Sequence, residues 1–440
     1  MTAVKALMSR MKNKIKVIRK KDASTGFTKR NKLLSIGLVL LLLLLQSSCW
    51  DKVEVEQLAI VMAIAVDKGE NGLVRTTVQV INPKGIAGGT GKNMAGGGGG
   101  GQNQAYRNIS DHGRTIFEAV RGMQSNIPRE LYFSHNQVVI ISEELAREGV
   151  AKLMDFFDRN PQIRRNNWLL ISKRDASQYE IINAPNPLEI VPAQRIVGII
   201  KEKERSTAYA INQLGDFLEL LSCRGVDAYT AGIGLSPNMA VAESDQNKNT
   251  GSAGESLRED VNVTQTAVFR DDRLVGWLNE RESRGLLWIK GRMSNASVTV
   301  EYDQKHGNVS VEALQGKGKI KPVVTREGQI IMNIDVKVKG SVSEVDTFID
   351  LSKPENLSRV EKKLAQEIKE DIRLALEKVQ REYKADVFGF GENLYRHYPG
   401  YWHQVANRWG EIYPEIEVVI NVKAEIPRTG LVSKPIEMAK

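Results

Sequence analysis

The chain has 440 residues, 41% hydrophobic and 26% charged, an ordinary globular composition that excludes wholesale disorder and leaves room for two or three domains with their own cores. Its formal charge of +9 sits in residues 1–48, where eleven Lys and Arg face Asp22 alone, a balance of +10 that leaves 9 − 10 = −1 for the remainder. A near-neutral body lacks the basic footprint that phosphate-backbone binding needs, which excludes nucleic acid as the expected partner.

The first element is the leader, residues 1–48. Its basic residues precede an apolar run from Leu33 to Leu45, which as helix spans ~20 Å, short of the ~30 Å hydrocarbon core. A basic region, a short apolar stretch and then the small residues Ser47 and Ser48 make the pattern of an export signal that is removed. Positive charge stays on the cytoplasmic side, so everything after residue 49 is expected outside. Cys49 follows directly, and the segment LLLLLQSSCWDK (41–52) resembles a bacterial lipoprotein signal. That resemblance implies a diacylglycerol, and with it palmitate-type chains, on Cys49 as the first mature residue. Two acyl chains at ~0.8 kcal/mol per buried CH₂ anchor a protein stably where one is marginal. Gln46 stands where such signals prefer Leu, with Leu45 one place early. The alternatives are an uncleaved apolar anchor and a plain secretory signal. With Cys49 and Cys223 the only cysteines, a disulfide scaffold is excluded, and Cys223 reads as a small apolar residue near a helix end.

In the body, LAIVMAIAVD (58–67) and LVRTTVQVI (73–81) predict two strands around a turn at Asn71-Gly72. GIAGGTGKNMAGGGGGGQNQ (85–104) fails as a phosphate cradle, because Ile86 and Asn93 stand where glycine and a hydroxyl are required, and reads as a surface loop. A helix capped by Ser110 or Asp111 carries Ile116, Ala119, Val120, Met123 and Ile127. Strand 136–142 leads through Ser142 into a helix bearing Leu145, Leu153, Phe156 and Phe157 that Pro161 stops, and 167–172 is another strand. PNPLEIVPAQR (185–195) marks a boundary. Beyond it come a helix with Tyr209, Ala210, Leu214, Phe217, Leu218 and Leu221, the strand YTAGIGL (229–235) and a polar linker at 243–260.

The remainder predicts a hairpin turning at Asp271-Asp272, a second at QKHG, and an alternating strand MNIDVKVKG. A helix over about 355–384 buries Leu357, Val360, Leu364, Ile368, Ile372, Ala375, Val379 and Tyr383, and a closing strand, EIEVVINVKAEI (415–426), is expected to be antiparallel. The fold class is therefore α+β, with predominantly antiparallel sheets and a C-terminal sheet backed by one long helix.

No nucleophile–base constellation and no metal set emerges: His112, His135, His306, His397 and His403 share no helical face, and GxSxG does not occur. No cofactor, no metal and no catalysis are expected. QGKGKIKP (315–322) aligns Lys317, Lys319 and Lys321 on one side of a strand, suited either to anionic headgroups or to a solvated edge strand protected by lysines. The segment 388–414 concentrates aromatics. Tyr398, Tyr401, Trp402 and Trp409 are candidates for partner contact, with packing between the long helix and the last strand as the alternative.

The stretches CWDKVEVEQLAIVMAIAVDK, GRTIFEAVRGMQSNIPRELYFSHNQVVIISEELAREG, FDRNPQIRRNNWLLIS, TAVFRDDRLVGWLNERESRGLLWIKG and DVFGFGENLYRHYPGYW, in this order, resemble the C-subunit lipoproteins of spore germinant receptors, the Ger(x)C family. The resemblance covers roughly residues 49–430 and implies three mixed α/β domains, here 49–195, 196–290 and 291–440 after the signal 1–48. It implies a non-enzymatic subunit, anchored through Cys49 to the outer surface of the spore inner membrane, that works with membrane-bound A and B subunits. The competing reading is a membrane-tethered solute-binding lipoprotein that delivers a small molecule to a transporter.

Overall fold

The computed structural model describes residues 54–87, 105–174, 178–184, 189–206, 209–237, 259–303, 307–346 and 349–428. The leader, Cys49 and most of the glycine tract lie outside them. The described residues from 58 to 428 belong to one compact unit.

Strands β1 (Leu58–Lys68) and β2 (Val74–Ile81) form the expected hairpin. Its turn uses Asn71 and Gly72, both at positive φ, as right-handed strand twist favours. Next in the chain come β3 (Tyr106–Gly113), α1 (Ile116–Ser125), β4 (Glu130–Tyr132), β5 (Val138–Ser142), α2 (Glu143–Glu148), α3 (Ala151–Arg159) and β6 (Trp168–Ser172). After them come α4 (Gln178–Asn183), α5 (Pro192–Ser206), β7 (Asn212–Gln213), α6 (Leu214–Ser222), β8 (Tyr229–Pro237), β9 (Glu259–Arg270) and β10 (Arg273–Leu278).

Among the described residues these strands make one ten-stranded sheet in the order β10-β9-β8-β6-β5-β1-β2-β3, with β4 beside β1 and β7 beside β6. Its centre, β1-β5-β6-β8, is parallel, and both faces of that centre are buried, which is why the sequences of β1, β5 and β6 are nearly continuous apolar runs. One face packs on α1, α2, α3 and α6, the other on α4 and α5.

A second unit of structure follows: α7 (Glu280–Lys290), β11 (Ala296–Asp303), β12 (Gly307–Val324), β13 (Ile330–Val345) and α8 (Pro354–Leu376) with a π-helical turn, Glu377–Tyr383. The chain ends in α9 (Phe390–His397), α10 (Pro399–Val405), α11 (Trp409–Ile412) and β14 (Glu417–Arg428). The four-stranded sheet β11-β12-β13-β14 is backed by α8, whose Val360, Leu364, Ile368, Ile372 and Ala375 are buried and Leu357 partly so, as is Tyr383 in the π-helical turn. Between the two sheets lies α7, with Leu286, Leu287, Trp288 and Ile289 all buried. Its N-terminus is a capping box of Asn279 and Glu282. It crosses α8 at Gly285, where a Cβ would sit 2.1 Å from the Asp371 carbonyl oxygen, so only glycine fits. Beside the crossing Asp371, fully buried, accepts from Arg281 Nε at 2.8 Å and Arg284 Nε at 3.0 Å.

Several expectations change. Strand β14 pairs with β13 in parallel, because α8 carries the chain across the sheet between them and a helical crossover returns a strand in the same direction; antiparallel pairings still outnumber parallel ones among the described strands. Ser110 and Asp111 lie in β3, and Thr115 caps α1 by accepting from the Glu118 N–H. The helix after Ser142 is broken at Gly149, at φ 127, where Val150 N–H turns to the Asp272 carbonyl at 2.9 Å. Residue 195 falls inside α5, and strands from both sides of it share the large sheet, so the 49–195 and 196–290 segments do not carry separate sheets. Cys223 follows α6 but is exposed. The helix expected from Tyr209 starts at Leu214, after the short strand β7. Among the described residues no helix is long and apolar enough to cross a membrane.

Candidate functional site

The C-terminal aromatic segment folds around one carboxylate. Asp386 is buried; its Oδ1 accepts from Phe390 N–H at 2.9 Å and its Oδ2 from Gly391 N–H at 2.8 Å and Trp409 Nε1–H at 3.0 Å. Its own N–H donates to Asp227 Oδ2 at 2.6 Å, and Asp227 Oδ1 accepts from Asp271 N–H at 2.9 Å. The pair thereby ties α9 and α11 to the β9–β10 turn. Burial pushes the Asp386 carboxyl up to about 7, against its three N–H donors and with a further push from the Asp227 charge. Burial likewise raises Asp227. Around them Trp402 meets Trp409 edge-on at 5.1 Å between centroids, and Tyr413 lies beside Trp409 and Phe390.

This arrangement divides the four residues expected to touch a partner. Trp402 and Trp409 turn inward, 5% and 8% exposed, and belong to the core; both are corrected from contact to packing residues. Tyr398 is at the surface, as is its neighbour Tyr395, and half-buried Tyr401 donates to the Gly328 carbonyl at 2.7 Å, fastening α10 to the β12–β13 turn. Cys49 lies outside the described residues.

Two further surfaces stand out. A groove of about 1300 Å³ opens between α1 and α3, floored by Leu131, Phe133 and Leu153 and rimmed by exposed Phe117, which Arg121 covers at 5.3 Å. Much of its charge is already matched: Lys68 bonds Glu144 and Glu148 at 2.9 and 2.6 Å, and Arg159 bonds Asp155 at 2.8 Å.

The other surface is the outer face of the small sheet. Gly316, Gly318, Ile320 and Pro322 point inward, while Lys317, Lys319 and Lys321 point out, as the period of two requires. Gly318 has no alternative, since a Cβ there would lie 2.2 Å from the Ile289 carbonyl oxygen at the end of α7. Strand β12 is flanked by β13 throughout and by β11 only to Ala313, so the lysine stretch is an edge on one side. Sequence reasoning found these three lysines; it had no means to place Lys337 and Lys423 beside them, because that depends on strand register. Among the described residues no cluster of three or more His, Cys, Asp or Glu is arranged to hold a metal ion.

Two family models match the chain. Residues 51–235 match the spore germination protein N-terminal domain, and residues 264–430 match the C-terminal domain described as spore germination B3/GerAC like. The chain is 27% identical to spore germination protein KC of Bacillus subtilis (strain 168) over 404 residues, covering 91% of this chain and 96% of that protein. It is 25% identical to spore germination protein B3 of the same organism over 395 residues, covering 89% and 97%. The crystal structure of the GerBC protein has the same fold, with a TM-score of 0.52 at 21% identity over 83% of this chain and 96% of that one.

Proposed function

The chain belongs to the Ger(x)C family of spore germination proteins, and on that premise we propose that it is a lipid-anchored, non-enzymatic subunit of a nutrient germinant receptor. The observation that carries the anchor is the segment 33–49, in which a short apolar run and two serines end at Cys49. In this reading diacylglycerol on Cys49 holds the body against the outer surface of the spore inner membrane. There it works by protein contact with the membrane-bound A and B subunits and turns nothing over. The exposed tyrosines Tyr395, in α9, and Tyr398, at the junction of α9 and α10, offer one surface for such contact, with their backbone held fixed by the Asp386 cluster behind them.

Replacing Cys49 by Ala is expected to move the protein from the membrane to the soluble fraction and to impair nutrient-triggered germination. Unchanged membrane retention of the variant in a strain lacking the B subunit would defeat the proposal.

The groove between α1 and α3 favours a second reading, in which the chain binds a small solute and hands it to a transporter. Thermal-shift measurements with amino acids and sugars separate the two. No shift is expected, and a saturable shift abolished by Phe117→Ala would favour the solute-binding reading.

A further inference from the structure

The outer face of the small sheet carries lysines in a register that a purely structural role does not explain. Lys317 on β12 stands directly opposite Lys337 on β13, which stands directly opposite Lys423 on β14. The neighbouring rows are Lys319–Asp335–Asn421, Lys321–Asn333–Val419 and Gln315–Lys339–Glu425. Six lysines thus share four rows with two carboxylates. At the spacing of strands and residues the patch measures roughly 20 Å by 10 Å. Asp335 engages Lys321 at 3.4 Å and Glu425 engages Lys423 at 2.8 Å; Lys317, Lys319, Lys337 and Lys339 have no ion pair among the described residues. Like charges placed directly across a strand pair repel, so the arrangement weakens the sheet it decorates. A solvated edge needs lysine on one strand; a row three strands wide runs past the edge into the middle of the sheet.

We propose that this face docks on an anionic phospholipid surface, the lysines of β12, β13 and β14 meeting lipid phosphates. A smooth sheet face with its cations in rows presents them together to a plane of negative charge, and the repulsion between Lys317, Lys337 and Lys423 is relieved when that plane is present. The helix α8 covers the opposite face of the sheet, which directs the lysines outward and leaves Lys362 and Lys369 exposed on the far side. The inference rests on the anchored reading, since a body held at a bilayer through a single residue gains a defined orientation from a second contact.

The test uses the full chain as isolated from membranes, reconstituted into vesicles of phosphatidylcholine alone or with about one-third phosphatidylglycerol. A membrane-impermeant amine-acylating reagent is added and each lysine's rate is read by peptide mass spectrometry. Lys317, Lys337 and Lys423 are expected to react about fivefold more slowly on the anionic vesicles, with Lys362 and Lys369 unchanged. In about 1 M KCl the difference is expected to vanish, because the screening length falls to ~3 Å. Equal rates on both vesicles from a chain that floats with them overturn the lipid contact and leave the anchor standing. Protection seen only in native membranes assigns the face to a protein and overturns it equally. A chain that fails to float with phosphatidylcholine vesicles defeats the anchored reading and this inference with it.

Discussion

Gly285→Val is expected to leave most of the chain insoluble, with at least about 3 kcal/mol of stability lost from what folds. The added Cβ alone would lie 2.1 Å from the Asp371 carbonyl oxygen and 2.7 Å from the Ala375 Cβ, and neither can retreat without moving α8. Separating α7 from α8 does further damage. It pulls Arg281 and Arg284 away from Asp371, stranding a carboxylate that is wholly out of solvent. Overpacking and a broken buried ion pair therefore fall on one crossing, out of a total stability on the order of 5–15 kcal/mol. Gly198→Ala provides the opposite sign: this glycine lies in α5 with open space where a Cβ would stand, so alanine is expected to stabilise by up to about 1 kcal/mol. Soluble yield and melting temperature check both, and a Gly285→Val chain that melts with the parent would refute the close-crossing account.

The pattern of the sequence was readable wherever one physical requirement dominated. Strands β1, β5 and β6 announce themselves because burial on two faces demands unbroken apolar residues, and β13 and α8 because burial on one face imposes a period. Strand β3 is different. Its residues YRNISDHG are polar because it is the last strand of the sheet, so it carries no apolar signal and its Ser110 and Asp111 resemble helix caps. Helix α7 escapes for the opposite reason: GLLWI is buried on every side, and a segment without a wet face has no period to read.

Pairing direction is also silent, since alternation in β14 reports which residues face inward and nothing about its neighbour. At the candidate site the same rule divides the residues. Aromatic content located the segment 388–414 but could not separate buried Trp402 and Trp409 from exposed Tyr398. Asp227 and Asp386, 159 positions apart, are brought together only by the fold. Lys317, Lys319 and Lys321 share a face by period alone, whereas their alignment with Lys337 and Lys423 is a product of register.

The Asp386 cluster gives a pH dependence with a definite sign. A carboxyl raised from about 3.9 in the unfolded chain to about 7 in the folded one holds a proton in the native state that the unfolded state has lost. Stability is therefore fully present below about pH 4 and falls as pH rises through the window up to about 7, by a few kcal/mol in all. Asp227, raised by burial as well, adds in the same direction. Urea midpoints are expected to be higher at about pH 5 than at about pH 8.

Asp386→Asn, which cannot ionise, should flatten that slope while lowering the midpoint at acid pH, because its amide has one acceptor oxygen for the three N–H groups now served. Asp386→Ala removes the acceptor altogether and strands Phe390 N–H, Gly391 N–H and Trp409 Nε1–H, at about 1–3 kcal/mol for each donor that water cannot reach. With α9 and α11 released from the β9–β10 turn, Tyr395 and Tyr398 lose the backing that fixes their positions. On the proposed function, the alanine variant is thus expected to weaken germination even where folded protein survives. A flat midpoint between about pH 5 and 8 in the parent chain, or an unchanged slope in Asp386→Asn, would show that the carboxyl is already ionised in the folded state and that its three donors outweigh its burial.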